Sequence, residues 1–137
     1  MKYPRSPKDQ VGGLFYFARM MDKIRLMASA DLHPDLHANL GQGFDERLTT
    51  FLAVNYSDLK NRVLAGGSDE EILEWCFQNG TRPTEEQIEI WNSFMFKRGW
   101  NDELSERLVG RKKESGFDHR DDIQTMFQYI DADEGRI

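Results

Sequence analysis

The sequence predicts an all-α fold: a single compact bundle of orthogonal type, with about six or seven helices. Three observations carry that prediction. Ser68 with Glu71 and Thr84 with Gln87 form two capping boxes, each a reciprocal pairing that opens a helix. The stretch Gly12–Ala28, GGLFYFARMMDKIRLMA, places apolar residues at helical spacing. No segment shows the sustained apolar–polar alternation of a half-buried strand.

Residues 1–11 read as a polar lead-in in which Pro4 and Pro7 disfavour helix just before them. The Gly12-Gly13 pair lets the backbone turn before a first helix that runs to about Ser29. At roughly 100° per residue, Leu14, Phe17, Ala18, Met21, Ile24 and Ala28 share one face, extended by Tyr16, Met20 and Met27. Arg25 falls close to that face and Asp22 lies one turn before it. A buried charge needs a partner, so Asp22 is expected to pair with Arg19 or Arg25 on the same helix.

Pro34, Gly41 and Gly43 break a loop over 31–43. A second helix is expected over Phe44–Val54, with Asp45 and Glu46 favoured in its first turn by the helix dipole. Ser57 can cap a third, Asp58–Ala65, closed by Gly66-Gly67. The Ser68 box opens a fourth that ends at Gly80 and buries Ile72, Leu73, Trp75 and Cys76. The Thr84 box opens a fifth that buries Ile88, Trp91 and Met95 and stops at Gly99. The short Gly80–Pro83 link predicts that these two helices form a hairpin, with Trp75 and Trp91 in the core. Asn101 or Asp102 caps a sixth helix carrying Leu104, Leu108 and Val109, weakened by Gly110 and ended by Gly116. A seventh is expected over about Arg120–Ile130, followed by an acidic tail, 131–137.

The whole chain, 1–137, is read as one helical domain. A chain of 137 residues can bury roughly two-thirds of the surface that its unfolded form exposes, so no metal or disulfide staple is required. A net charge of −6 argues against a nucleic-acid binder working through a general basic field, and weakly against anionic membranes. The lone cysteine, Cys76, forms no internal disulfide and suits a reducing cytoplasm. With no apolar leader and no long apolar run, the expectation is a soluble cytoplasmic protein.

Several stretches recur together in order: R-S-P at Arg5–Pro7, G-G-L and A-R-M-M-D-K-I-R between Gly12 and Arg25, and H-A-N-L-G at His37–Gly41 before Gly43-Phe44-Asp45. S-D-E-E-I-L-E-W at Ser68–Trp75, W-N-S-F-M-F-K-R-G-W-N-D at Trp91–Asp102 and D-E-G-R at Asp133–Arg136 complete the set. Over nearly its whole length the chain thereby resembles a bacterial family of small helical domains of unknown function, family 5069. The resemblance implies a compact helical domain. It implies no activity and carries over no functional residue.

No catalytic signature is present. His33 and His37 have the spacing of two ligands on one helical face, but Pro34 lies between them and the third histidine, His119, is remote in sequence. They are read as loop and capping residues, and no metal site or cofactor is assigned. D-A-D-E-G-R in the tail begins like a calcium loop but has glycine fifth and then ends; a solvated tail or one tied back by Arg136 is expected. Cys76, at an apolar position beside Trp75, is read as core, and Trp100 as a packed corner residue.

The remaining candidates are cations. Lys97 and Arg98 end a helix where the dipole favours them. A sharper reading joins Arg19, Lys23 and Arg25 with Lys97, Arg98 and the Asn101 amide around one anion-holding cleft. Internal ion pairing outweighs that reading at the level of sequence, because such networks also occur without function. The function expected is a non-catalytic module that binds a partner protein or a small anionic ligand through the charged surface of the first helix, with Arg19, Asp22, Lys23, Arg25, His37, Lys97, Arg98 and Asn101 as candidate residues. The alternative is an enzyme of unfamiliar chemistry using Asp22, His37 or a tail carboxylate.

Overall fold

The structure, a computed structural model, describes residues 1–137. A two-stranded hairpin, β1 (Gln10–Val11) and β2 (Leu14–Phe15), leads into α1 (Phe17–Ala28) and a 3-10 turn (Pro34–Asn39). Six helices follow: α2 (Phe44–Leu52), α3 (Tyr56–Leu64), α4 (Asp69–Asn79), α5 (Glu85–Lys97), α6 (Ser105–Glu114) and α7 (Met126–Asp133). The fold is predominantly helical, as expected. The count is corrected to eight helical segments, seven α and one 3-10, together with a small sheet that sequence pattern missed.

The hairpin follows from Gly12 and Gly13, whose φ angles of 57° and 78° are those of a type I′ turn. The register pairs Gln10 with Phe15 and Val11 with Leu14. Two residues per strand are too few for alternation to register. The first helix therefore starts at Phe17, and Leu14 and Tyr16 reach the core from outside it. In the loop, His33 caps the 3-10 turn by accepting the Asp35 N–H on Nδ1 at 3.2 Å, with Pro34 in the first turn.

Both expected capping boxes form, and a third, Thr125 with Gln128, opens α7. α3 is capped by Asn55 rather than Ser57. α6 starts at Ser105 without a side-chain cap, because Asp102 turns instead to the Gly99 and Leu104 N–H groups at 3.0 and 2.9 Å.

The main core gathers residues from the hairpin, α1–α5 and α7 around Phe17, Met20, Met21 and Phe127. A smaller cluster, Leu108, Ile123 and Ala132, ties α6 to α7. The predicted α4–α5 hairpin is overturned. α4 packs chiefly on α3 and β1, and α5 on β2 and α7. The hairpin strands come between them: Asn92 accepts the Phe15 N–H at 2.9 Å and donates to the Gly13 carbonyl at 2.8 Å, and the Trp91 indole donates to the Phe15 carbonyl at 3.1 Å. Trp91 is buried, Trp75 only half-buried, and Trp100, Val109 and Met27 are exposed. Ala28, placed by the wheel on the core face, is exposed because it lies at the free end of α1.

Both ends of the chain are tied down. Lys2 bridges to Leu32, and Arg136 donates to the Pro4 carbonyl. α7 runs into the acidic tail, where Arg136 meets Asp131 at 3.0 Å and Glu134 at 2.7 Å. The tail is tied back by Arg136, while Asp133, Gly135 and Ile137 stay exposed. No helix is long and apolar enough to cross a membrane.

Candidate functional site

α1 presents its four charges in two directions. Arg19 and Lys23, four apart, share a face, and so do Asp22 and Arg25, three apart. The expected pairing of Asp22 with Arg19 or Arg25 is corrected. Asp22 accepts from Arg5 at 2.9 Å, and Arg25 meets Asp69 on α4 at 2.6 Å. Arg5 also reaches Asp69, at 2.7 Å, so Asp22 and Arg25 serve a partly exposed network joining the lead-in, α1 and α4. The wheel placed Arg25 in the core; its side chain is 36% exposed.

The other face is buried. Arg19, 3% exposed, grips Glu134 through both terminal nitrogens at 2.8 and 2.6 Å and donates to the Arg5 carbonyl at 3.1 Å. Lys23, also 3% exposed, donates to Asp45 Oδ1 at 2.9 Å. The same oxygen accepts the Tyr16 hydroxyl at 2.6 Å, and Oδ2 accepts the Gly41 N–H at 2.9 Å. Burial pushes the Lys23 pKa below its ordinary value, although Asp45 pulls the other way. Burial, reinforced by the Asp45 charge, pushes the Tyr16 phenol well above its own.

Arg19, Lys23 and Tyr16 border a cleft of about 630 Å³ between α1, the 3-10 turn, α2, α6 and α7. Six cations line it: Arg19, Lys23, Arg47, Arg98, Arg107 and Arg111. Four carboxylates do so too, from Asp35, Glu114, Asp133 and Glu134, while Lys23 and Arg98 are also paired with Asp45, Asp102 and Glu103, so the unpaired positive charge is that of Arg47 and Arg107. Phe44, Met126, Tyr129 and Ile130 supply apolar wall.

Of the residues singled out from sequence, Arg19, Lys23 and Arg98 come together here. Asp22, Arg25, His37, Lys97 and Asn101 do not. The His37 ring bonds the Leu32 carbonyl through Nε2 at 2.9 Å, Lys97 is exposed on a different groove of α5, and Asn101 is an exposed turn residue with φ 49°. Arg98 is buried. One terminal nitrogen meets Asp102 and Glu103 at 3.2 and 3.0 Å, while its Nε is buried without a partner. Arg47 and Arg98 both lie over the Phe94 ring, at 5.0 and 4.9 Å.

Arg47, Arg107 and Arg111 went unseen in the sequence. All three are exposed; Arg47 and Arg107 make no ion pair, and Arg111 only a loose one with Glu114 at 3.7 Å. The sole available signal was the four-residue spacing of Arg107 and Arg111 on α6. Cys76 lies in the core, where burial pushes its thiol up to about 12. His33 stacks on Tyr3 at 4.6 Å, and no group of three His, Cys, Asp or Glu side chains converges as a metal cage would require.

Residues 1–136 match the model of a domain of unknown function (DUF5069), and the chain belongs to that family. No curated protein matches the chain.

Proposed function

We propose that this protein is a small soluble cytoplasmic module that binds an anionic small molecule in the cleft between α1, α2, α6 and α7. The observation that carries the reading is a pair of cations without counterions, Arg47 and Arg107, at the rim of a cleft whose floor holds a buried, singly bonded ammonium, that of Lys23. An ammonium has three donors, and Lys23 spends one on Asp45. Unmet donors in a desolvated site cost about 1–3 kcal/mol each, and an oxygen-rich ligand would meet them. The volume suits a metabolite rather than a macromolecule, since small-molecule sites run roughly 300–1,000 Å³. Guanidinium groups at the rim favour carboxylate or phosphate, which they can take bidentately. The aromatic and aliphatic wall at Phe44, Tyr129 and Ile130 favours a ligand with a short carbon skeleton.

The enzyme reading through Asp22, His37 or a tail carboxylate is less well supported: Asp22 and His37 are engaged outside the cleft, with Arg5 and with the Leu32 carbonyl, and of the tail carboxylates that line it Glu134 is held by Arg19 and Asp133 accepts from Ser115. The test is calorimetric titration with inorganic phosphate, short carboxylates and phosphorylated metabolites, beside Arg47→Ala and Arg107→Ala. Each truncation should weaken binding about tenfold, as loss of one charge-assisted contact does, without changing the circular dichroism. Binding unaltered by both variants would overturn the reading, as would the absence of any heat from the whole panel.

A further inference from the structure

We propose that Lys23 is a covalent site: its amine condenses reversibly with the carbonyl carbon of a small anionic oxo compound, an aldehyde acid or 2-oxo acid, seated in the cleft. This rests on the reading of the cleft as an anion site.

The chain has seven lysines, and Lys23 alone is buried. Lys112 is half-buried, with its ammonium held by the Arg120 and Ile123 carbonyls at 2.7 and 3.0 Å. The Lys23 amine and the Tyr16 hydroxyl converge on one oxygen of a fully buried carboxylate, Asp45 Oδ1. Amine, proton acceptor and phenolic proton donor therefore stand side by side, and Lys23 and Tyr16 are both lining residues of the cleft. Tyr16 reaches this position through a left-handed backbone, φ 77°, that a bulky residue adopts only under constraint. Arg19, one turn before Lys23, sets a second cation near the amine. A desolvated lysine beside another cation gives up its proton more readily than one in water, and burial, with a smaller push from Arg19, does lower the proton affinity of Lys23 although Asp45 and Glu134 pull the other way. Arg47 and Arg107 would hold the carboxylate or phosphate of the same molecule.

The step balances without any co-reactant. The ammonium passes one proton to Asp45. The freed nitrogen lone pair attacks the carbonyl carbon, forming the C–N bond, and the C=O π pair moves to oxygen. That oxygen takes the Tyr16 proton, and Asp45 returns its proton to Tyr16. A second proton leaves nitrogen by the same route for the new hydroxyl, which departs as water. Nitrogen closes the C=N bond, leaving an iminium with the single positive charge that the ammonium carried.

The test is trapping by cyanoborohydride of pyruvate and of glyoxylate on the intact protein near neutral pH, followed by peptide mass mapping. The reduced adduct should appear on Lys23 ahead of the six other lysines. Folded Tyr16→Phe should slow labelling about tenfold, and lactate, which carries the carboxylate but no carbonyl, should bind the unaltered protein without forming an adduct. Folded Lys23→Arg should take up no adduct at the early time. Labelling spread over surface lysines with Lys23 no faster than they are would overturn the proposal, and this readout needs no variant. Lactate or phosphate binding with no Lys23 adduct from pyruvate or glyoxylate overturns the covalent site and leaves the anion cleft standing. The absence of both binding and adduct removes both.

Discussion

Replacing Glu134 with alanine strands one of the two buried cations of α1. Glu134 accepts both terminal nitrogens of Arg19, at 2.8 and 2.6 Å, and its side chain is 4% exposed. Without it the Arg19 guanidinium retains only the Arg5 carbonyl. Breaking a buried pair from one side costs about 3–5 kcal/mol, because the remaining charge is neither solvated nor paired. With a urea slope of about 1.5 kcal/mol per molar for a domain of this size, the midpoint should fall by roughly 2–3 M. Asp22→Ala is the control from the same region. Its partner Arg5 is 40% exposed and keeps Asp69 at 2.7 Å, so the loss should be about 1–2 kcal/mol and the shift near or below 1 M. Arg19→Met combined with Glu134→Leu should recover much of the stability lost in Glu134→Ala, since an apolar pair leaves no charge to desolvate. Equal midpoint shifts for Glu134→Ala and Asp22→Ala would refute the reasoning, because Arg19 is left buried and unpaired whereas Arg136 keeps Asp131 and Arg5 keeps Asp69.

Trp91→Ala should cost about 3–5 kcal/mol in chemical denaturation, since Trp91 is buried, stacked on Phe51 at 4.8 Å and bonded to the Phe15 carbonyl. Trp75→Ala, at a half-buried position, should cost less than half as much; a reversed order would mean that the packing of α5 on the hairpin is wrong. Burial raises the Cys76 thiol to about 12, so a disulfide reagent at pH 8 should react only as fast as the protein unfolds. Rapid reaction in native buffer would place Cys76 outside the core. Burial alone would raise the Asp69 carboxyl, but hydrogen bonds and charge from Arg5 and Arg25 hold it below its ordinary value. Its contribution is therefore complete above about pH 4, the ordinary carboxylate range, and is lost as pH falls through the lowered folded value. Denaturation profiles between neutral and strongly acid pH should show a shallower acid loss for Asp69→Asn, and parallel profiles would rule this out.

What could be read from the sequence was local. Ser68–Glu71 and Thr84–Gln87 placed the starts of α4 and α5 correctly, because a capping box is complete within four residues. The same motif at Thr125 and Gln128 opens α7 five residues after the start near Arg120 that the apolar stripe suggests. Ile123 looked like the first turn of the stripe, but it is a buried residue of the preceding segment, packed with Leu108. The Gly12-Gly13 hairpin lies below the reach of periodicity. Partners were the least legible. Arg5 is 17 residues before Asp22, and Glu134 is 115 residues beyond Arg19, so the wheel could show that charges needed partners but not which. Arg19, Lys23 and Arg98 were recognisable as cations on buried or helix-ending positions. Arg47, Arg107 and Arg111 read like any solvated helix face, because they are exposed and only the tertiary fold sets them beside the same cleft.

The burial of Arg19 and Lys23 calls for a reason beyond stability, since an apolar pair of similar volume often holds a fold at least as well. The geometry supplies one. Arg19 takes its counterion from the end of α7, and Lys23 takes its own from the start of α2. These are two walls of the cleft, so each ion pair fixes the spacing between α1 and one wall while leaving a cation at the floor. An apolar replacement could hold the walls but would remove the charge. The pairs also hold the cleft polar without ligand: Asp45 and Glu134 occupy the floor cations, and the rim cations Arg47 and Arg107 stay uncompensated. Under the proposed reading, an incoming anion would meet its free charge at the rim first and would reach Lys23 through donors that Asp45 leaves unused. Such an order of contacts would let binding proceed without breaking the ion pairs that hold the helices together, so a stable internal network is compatible with the proposed anion site in the same few residues.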